Sequence, residues 1–315
     1  MKLLLGGLVL LAACGSVDDN THPPDAPRQD ALPDDAHIDI DAPPQARCDA
    51  SNAFGTPVRV DALDSTADEG DAFLSIDELT VLFTSNRAGG LGAGDIYIAT
   101  RASVSDTWGT PALLAGVNTA GTEVRPSMSA DQLTLFVATR ANANSAILVS
   151  RATRGSTAVA FGSLAAVAVV NDGGGDNSEP FIAPDQSALY FASTRGTAGD
   201  ANLLVSTGIS GSFSAPAAVA GTMLTTTSNE GAPTLTADQL TLYFRSDRGQ
   251  SMDIWFATRT SIANGFGTPV NATALNSNSA EVPSWVSADN CVIYFNRNVG
   301  TVASNNEIYM AAKPL

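Results

Sequence analysis

Five times along the chain a short polar turn ending in aspartate is followed by a run of apolar and β-branched residues. The turns read SID at Asp77, SAD at Asp131, APD at Asp185, TAD at Asp238 and SAD at Asp289, at spacings of 54, 54, 53 and 51 residues. The runs read LTVLFTSNR, LTLFVATR, ALYFASTR, LTLYFRSDR and CVIYFNR, and each closes on an arginine: Arg87, Arg140, Arg195, Arg248 and Arg297. A Gly- or Asn-rich loop and a second apolar run follow: DIYIATR, AILVSR, NLLVST, DIWFATR and EIYMAA. A third marker, an aromatic residue leading a phrase such as FGTP, recurs at Phe54, Trp108, Phe161, Phe213 and Phe266. Three independent markers keeping one period of slightly over fifty residues define a structural repeat.

Each unit reads as four short strands. Strand a precedes the Asp turn, b is the first apolar run, c the second, and d begins after the aromatic phrase. Apolar or β-branched residues fall on both sides of b and c, as expected for a small sheet covered on both faces by its neighbours. The order of markers adds a further step. The first FGTP, at residue 54, comes before any Asp turn, and the last copy ends before a strand d. An N-terminal strand d is left over and the C-terminal unit lacks one. If it completes the last unit the array closes into a ring, which removes exposed edge strands. An open solenoid would gain nothing from splitting a unit across the termini. The expected fold is an all-β, five-bladed β-propeller of four-stranded blades.

The phrases SADQLTLFVATR and DIYIATR resemble the WD40-like repeat of TolB-type β-propellers, and the likeness covers residues 54–315. Together with the N-terminal features described next, they resemble a group of secreted bacterial lipoproteins built from these repeats. The resemblance implies a propeller fold and an envelope location, and no reaction, because propellers host many functions. The second copy departs from the Asp-Ile-Tyr pattern with Ser145-Ala146-Ile147, the third with Ala201-Asn202-Leu203, and the fifth has Glu307.

The N-terminus reads MKLLLGGLVLLAAC. One positive charge and a short apolar stretch make a signal peptide over residues 1–13, too short for a permanent membrane span. The Leu-Ala-Ala-Cys ending is similar to a lipobox, with Cys14 as the lipidated residue; an ordinary signal peptide with a chance Cys is the alternative. Gly15 and Ser16, by resemblance to lipoprotein sorting signals, point to the outer membrane. Residues 14–52 carry nine Asp against two Arg and are rich in Pro and Ala. Such a segment cannot bury a core and reads as an extended tether, with the propeller at 53–315. Its acidic runs could also bind calcium loosely. The chain is expected to meet the membrane only through its lipid.

A net charge of −16 makes nucleic acid a poor partner, since phosphates would be repelled. Both histidines, His22 and His37, lie in the tether, which excludes His-dependent triads and His-liganded zinc from the propeller. Lys313 is the propeller's single lysine. GGLGAGD at 89–95 lies between strands and lacks the Lys of a P-loop. What remains is carboxylate, Tyr, Arg or hydroxyl chemistry. After Cys14, two cysteines remain. The closure scheme puts Cys48 and Cys291 in one blade, and an oxidising envelope allows a disulfide; two unrelated thiols are the alternative.

Asp77, Asp131, Asp185, Asp238 and Asp289 have a structural explanation as turn acceptors. Arg87, Arg140, Arg195, Arg248 and Arg297 read likewise as scaffold, with Arg87–Asp95 and Arg248–Asp253 as pairs able to clamp a hairpin. Glu69, Glu123, Glu179, Glu230 and Glu281 each precede strand a and should approach the mouth of the central channel. Four lie eight residues before the Asp turn and Glu179 lies six before. Three readings stay open for them: five Glu–Arg contacts repeated with the fold, a ring holding a cation such as calcium, or acid–base pairs for glycoside chemistry. Trp285, in the last strand a, is either core or a channel-facing sugar platform, while Trp108 reads as core. The combined expectation is a monomeric envelope lipoprotein whose propeller is a non-enzymatic binding module for an envelope protein, peptide or glycan, without a cofactor unless calcium is held. The alternative is a carboxylate-dependent glycoside hydrolase or a cation-dependent glycan-binding propeller.

Overall fold

In a computed structural model, residues 46–195, 200–208, 212–249, 251–300 and 305–315 are described. Expectations for residues 1–45, including the signal peptide, Cys14 and most of the tether, lie outside them. Among the described residues the first strand is β1 (Val58–Arg59). The first blade then follows as β2 (Glu69–Leu74), β3 (Thr80–Ser85), β4 (Asp95–Thr100) and β5 (Ala112–Leu113). The second is β6 (Thr122–Met128), β7 (Thr134–Arg140), β8 (Leu148–Thr153) and β9 (Ala165–Ala166). After the one-turn helix α1 (Ala168–Asn171), the third is β10 (Asn177–Ile182), β11 (Ala188–Ser193), β12 (Asn202–Thr207) and β13 (Ala217–Ala218). The fourth is β14 (Glu230–Leu235), β15 (Thr241–Ser246), β16 (Asp253–Thr258) and β17 (Val270–Asn271). The fifth is β18 (Glu281–Val286), β19 (Val292–Asn298) and β20 (Asn306–Ala312), completed by β1 in the order β1-β20-β19-β18. The molecule is thus a five-bladed propeller closed by its own N-terminal strand, as the marker order implies. Val58 pairs with Met310 and Arg59 with Tyr309 across that closure.

Two further ties hold the closing strand. Cys48 and Cys291 form a disulfide with Cα atoms 5.7 Å apart. Arg47 donates to Glu78 (2.5 and 3.0 Å) and to Asp289 (2.6 and 2.9 Å), so one guanidinium joins the Asp turns of the first and fifth blades. Residues 46–315 form one compact unit.

The turns explain why the Asp recurs. Asp131 Oδ1 accepts the Ser129 hydroxyl (2.5 Å) and the Leu133 N–H (2.9 Å). The residue after each turn aspartate (Glu78, Gln132, Gln186, Gln239, Asn290) takes a left-handed conformation, φ near 60°. Asp77, Asp238 and Asp289 accept in the same way, while Asp185 accepts from Ser187, because Ala183 removes the upstream hydroxyl. The middle strands are buried on both faces, with Phe83, Phe136, Phe191, Phe244 and Phe295 fully enclosed between blades.

Strand a is broken in every blade by a register shift, between Gly70 and Phe73, Val124 and Ser127, Ser178 and Phe181, Gly231 and Thr234, and Pro283 and Trp285. The innermost strand has a free edge, so Pro126, Pro180, Pro233 and Pro283 cost it no ladder hydrogen bond. A bulge re-aims side chains, and here it divides the axis into two levels. Beyond the bulge, Phe73, Met128, Phe181, Leu235 and Trp285 line an apolar cavity of about 40 Å³. Trp285 is 6% exposed and sits edge-on to Tyr294, which favours the core reading over a sugar platform. No helix among the described residues is long and apolar enough to cross a membrane.

Candidate functional site

Glu69, Glu230 and Glu281 open their inner strands and are fully buried. Glu69 accepts the Ser65 N–H (2.8 Å), the Ser65 and Ser85 hydroxyls (2.7 Å each), and faces Arg87 Nη2 at 3.1 Å. Glu230 repeats this with the Thr226 N–H (3.2 Å) and hydroxyl (2.5 Å), Ser246 (3.3 Å) and Arg248 Nη2 (3.1 Å). Glu281 accepts from Ser277 and from Arg297 Nε (2.9 Å). Each therefore staples the loop entering its blade to the end of strand b. The second blade keeps only half of the device. Glu123 accepts from Thr119 (2.8 and 2.6 Å), while Arg140 turns away to donate to the Ser145 carbonyl (2.9 Å). Register pairs Glu123 with Thr139, so Arg140, one residue further, points to the opposite face, whereas Arg297 stands directly across from Glu281 and Arg87 and Arg248 lie two residues past the partners of Glu69 and Glu230.

The third blade corrects the expected ring. Asn177, not Glu179, occupies the staple position, paired with the Ser193 hydroxyl (2.8 Å) and Arg195 Nη2 (2.6 Å). The signal was present: Asn177 lies eight residues before Asp185, the spacing kept in the other blades. The suggested Arg87–Asp95 and Arg248–Asp253 clamps are also not formed. Asp95 accepts the N–H groups of Leu91 and Gly92, and Asp253 accepts from Ser251 and Asn271. Asp95 Oδ1, buried, has no partner among the described residues.

Two residues further along strand a lies a different set. Asp71, Arg125, Glu179 and Ala232 occupy the bulges at φ 57°, 58°, 57° and 49°. Left-handed backbone at a non-glycine residue costs of order 1 kcal/mol and persists only where its surroundings hold it. These residues meet around the propeller axis in one network. Asn296 of the fifth blade donates to Asp71 (2.8 Å) and accepts the Asp71 N–H (2.6 Å). Arg125 Nη1 lies 3.6 Å from Asp71 Oδ1 and 3.1 Å from Glu179 Oε1. Glu179 also accepts from Arg245 Nε (2.9 Å) and from the Ala232 N–H (2.5 Å). All five blades contribute to this mouth, and sequence periodicity misses it because no two of its bulge residues are alike.

The electrostatics follow from the contacts. Burial alone would push the Glu179 carboxyl up; Arg125, Arg245 and the two hydrogen bonds outweigh it and hold the carboxyl below the usual carboxylate range. Burial opposes the Arg125 charge as well, and Asp71 and Glu179 outweigh it, raising that guanidinium. Arg125 keeps a quarter of its side chain exposed, and its guanidinium donates no well-aligned hydrogen bond within the described chain. The polar cavity here is about 30 Å³, lined by Asp71, Arg125, Glu179, Ala232 and Ser284 among others. Such a space admits one or two waters or one small functional group. The Ser284 hydroxyl is buried and unpartnered. Among the described residues no three carboxylate, His or Cys side chains converge as for a metal ion.

No protein-family model and no curated protein matches the sequence. Solved structures do match the fold. TolB from Acinetobacter baumannii aligns at a TM-score of 0.52 and 14% identity over 80% of this chain and 56% of that one. The fold is shared with TolB. The chain spans just over half of that TolB's length, so the likeness carries the propeller and nothing else of it. An alpha-L-arabinofuranosidase from Podospora anserina in complex with cellotriose aligns at 0.56 and 12% identity, over 85% of this chain and 98% of that one. The GH43_1 enzyme from Xanthomonas citri complexed with xylotriose aligns at 0.55 and 10%, over 82% and 89%. The TolB-like propeller scaffold therefore hosts both kinds of protein, and the fold does not choose between them.

Proposed function

We propose that this chain is an envelope lipoprotein, lipidated at Cys14, whose TolB-like propeller is a non-enzymatic binding module with the polar mouth as its recognition site. The observation that carries the reading is the state of Glu179. Glycoside hydrolysis needs one carboxyl kept protonated to donate to the leaving group, beside a second that is ionised. At this mouth Glu179 is ion-paired to two guanidiniums, and Asp71 accepts hydrogen bonds from Asn296 and Thr84 with Arg125 3.6 Å away. The small cavity fits a single group presented by a partner better than a sugar ring. Arg125, with unfilled donors facing that cavity, is suited to an acceptor such as a carbonyl or carboxylate of an envelope protein or peptide. The tether and lipid would hold the module at the outer membrane.

The competing reading is a carboxylate-dependent glycosidase, favoured by the arabinofuranosidase and GH43_1 neighbours. Release of 4-nitrophenol from 4-nitrophenyl α-L-arabinofuranoside by the purified chain separates the two. The binding reading expects no release above buffer; turnover that disappears in Glu179→Gln would replace it with the enzyme. A melting-temperature rise on adding calcium would favour cation-dependent glycan binding. Loss of membrane association in Cys14→Ala is expected for the lipid anchor.

A further inference from the structure

The cation that follows strand c is a second repeated device. Arg101 stacks over Trp108 at 4.2 Å, Arg154 over Phe161 at 4.3 Å and Arg259 over Phe266 at 4.4 Å. In each case Nε donates at 2.8 Å to the carbonyl of the left-handed residue after the turn aspartate, namely Glu78, Gln132 and Gln239. The third blade has Gly208 here and no cation. In the fifth, the residue is Lys313. Its ammonium stacks over Phe54 at 4.8 Å, but it donates to the Ala50 carbonyl (2.7 Å), and the corresponding Asn290 carbonyl receives no bond from it.

The shorter side chain leaves a buried cation poorly satisfied. Lys313 is 9% exposed, has three donors, and makes one hydrogen bond and one ring contact among the described residues, with no carboxylate within 4 Å. Buried charges are ordinarily paired. Burial lowers this ammonium, and only the more distant Asp49 acts the other way. Lys313 borders a cleft of about 390 Å³ between the fourth and fifth blades, within the range of small-molecule sites. The cleft is lined by the rings of Phe54, Tyr243 and Phe256, and by the amides of Asn271 and Asn290. Phe54 and Tyr243 meet edge-on at 6.1 Å, and Tyr243 and Phe256 lie 5.9 Å apart. Similar volumes between other blades lack this combination: one is lined by Arg259, whose Nε and Nη1 both donate to carbonyls, and another contains no staple cation.

We propose that this cleft binds a small aromatic monocarboxylate, its carboxylate completing the hydrogen bonding of Lys313 and its ring lying among Phe54, Tyr243 and Phe256. It is independent of the axial mouth, so it stands or falls apart from the recognition reading.

Titrating 4-fluorobenzoate against the full chain by fluorine NMR tests this, with neutral 4-fluorobenzamide as the control for charge. Saturable binding of the acid and at least about tenfold weaker binding of the amide are expected, the worth of one charge-assisted hydrogen bond. Lys313→Gln should weaken the acid by a similar factor. Lys313→Arg restores the residue of the other blades and keeps the ring stack. It should fold as the parent does yet bind less, because its donors are taken by backbone carbonyls. Absence of saturable binding, equal binding of acid and amide, or unchanged affinity in both variants would overturn the proposal.

Discussion

The residues that open the inner strands and the bulge residues two positions later differ in one respect that orders the whole molecule. The first set is nearly uniform: Glu, Glu, Asn, Glu, Glu, each accepting from its own loop or its own strand b. The second is Asp71, Arg125, Glu179 and Ala232, with the ladder-paired Pro283 at the same place in the fifth blade, and its charged members reach across to other blades. A side chain that serves its own blade is repeated because the blade is repeated. One that meets its counterparts on the axis cannot be, since five identical charges there would repel one another. Uniformity marks the scaffold and variety marks the mouth.

The strongest way to break this comparison is at the scaffold. Glu230→Ala removes the fully buried partner of an ion pair and leaves the half-buried Arg248 donating only to the Met223 carbonyl and the Ser246 hydroxyl. A loss of about 3–5 kcal/mol is expected in urea unfolding, with no specific change at the mouth. A loss below about 1 kcal/mol would mean that the staple is ornamental and that the uniform set needs another explanation.

A smaller effect should come from Gly231. A Cβ there would lie 2.0 Å from Glu179 Oε2 and 2.8 Å from two Arg245 nitrogens. Gly231→Ala must therefore push the Glu179–Arg245 pair apart, at a cost of about 1–3 kcal/mol. Unlike Glu230→Ala, it should abolish whatever the mouth binds while leaving the blade's own staple intact. If partner capture survived it, the recognition site would lie elsewhere.

The fifth blade offers a test of what happens where the period breaks away from the mouth. Glu307 stands where Asp95 and Asp253 begin their strands, and its carboxyl faces Asp64, which follows Leu63 where Asn118 follows Val117. Burial first, then the Asp64 carboxyl, push Glu307 up to about 7 from 4.5, against the pull of Arg59 at 3.8 Å. A raised carboxyl destabilises the fold once the unfolded chain can ionise. Stability should therefore fall as pH rises from about 4.5 to 7 and level off above. Glu307→Gln, whose amide can donate to Asp64, should remove that slope and gain about 1–3 kcal/mol at pH 8 while changing little at pH 4. Parallel urea midpoints at the two pH values decide it; a wild-type curve rising through this window would contradict the assignment.

The sequence discloses the scaffold much better than the site, for a physical reason. Blade number, ring closure and the Cys48–Cys291 bridge all follow from the order and spacing of repeated residues, because packing like blades against like demands like side chains. The mouth lacks that redundancy. Its one faint trace is the proline after Arg125, Glu179 and Ala232. Residue type alone groups Glu179 with the staple carboxylates, whereas distance from the Asp turn points to Asn177. Lys313 reads in isolation as a stray lysine; only alignment with Arg101, Arg154 and Arg259 reveals it as the shortened member of a staple.

The smallest effect separates the two sets at a single methyl. Ala232 holds φ 49° so that its N–H can reach Glu179 Oε2 at 2.5 Å. Glycine reaches that conformation without the Cβ penalty but loses more freedom on folding, so Ala232→Gly should shift stability by less than about 1 kcal/mol in either direction. The N–H bond to Glu179 is kept, and mouth function with it. Replacing Ala232 by Pro should instead remove the donor and forbid the positive φ. A mouth that tolerated proline as well as glycine would show that the left-handed bulge is a by-product of packing, and the contrast between a uniform scaffold and a varied mouth would lose its structural basis.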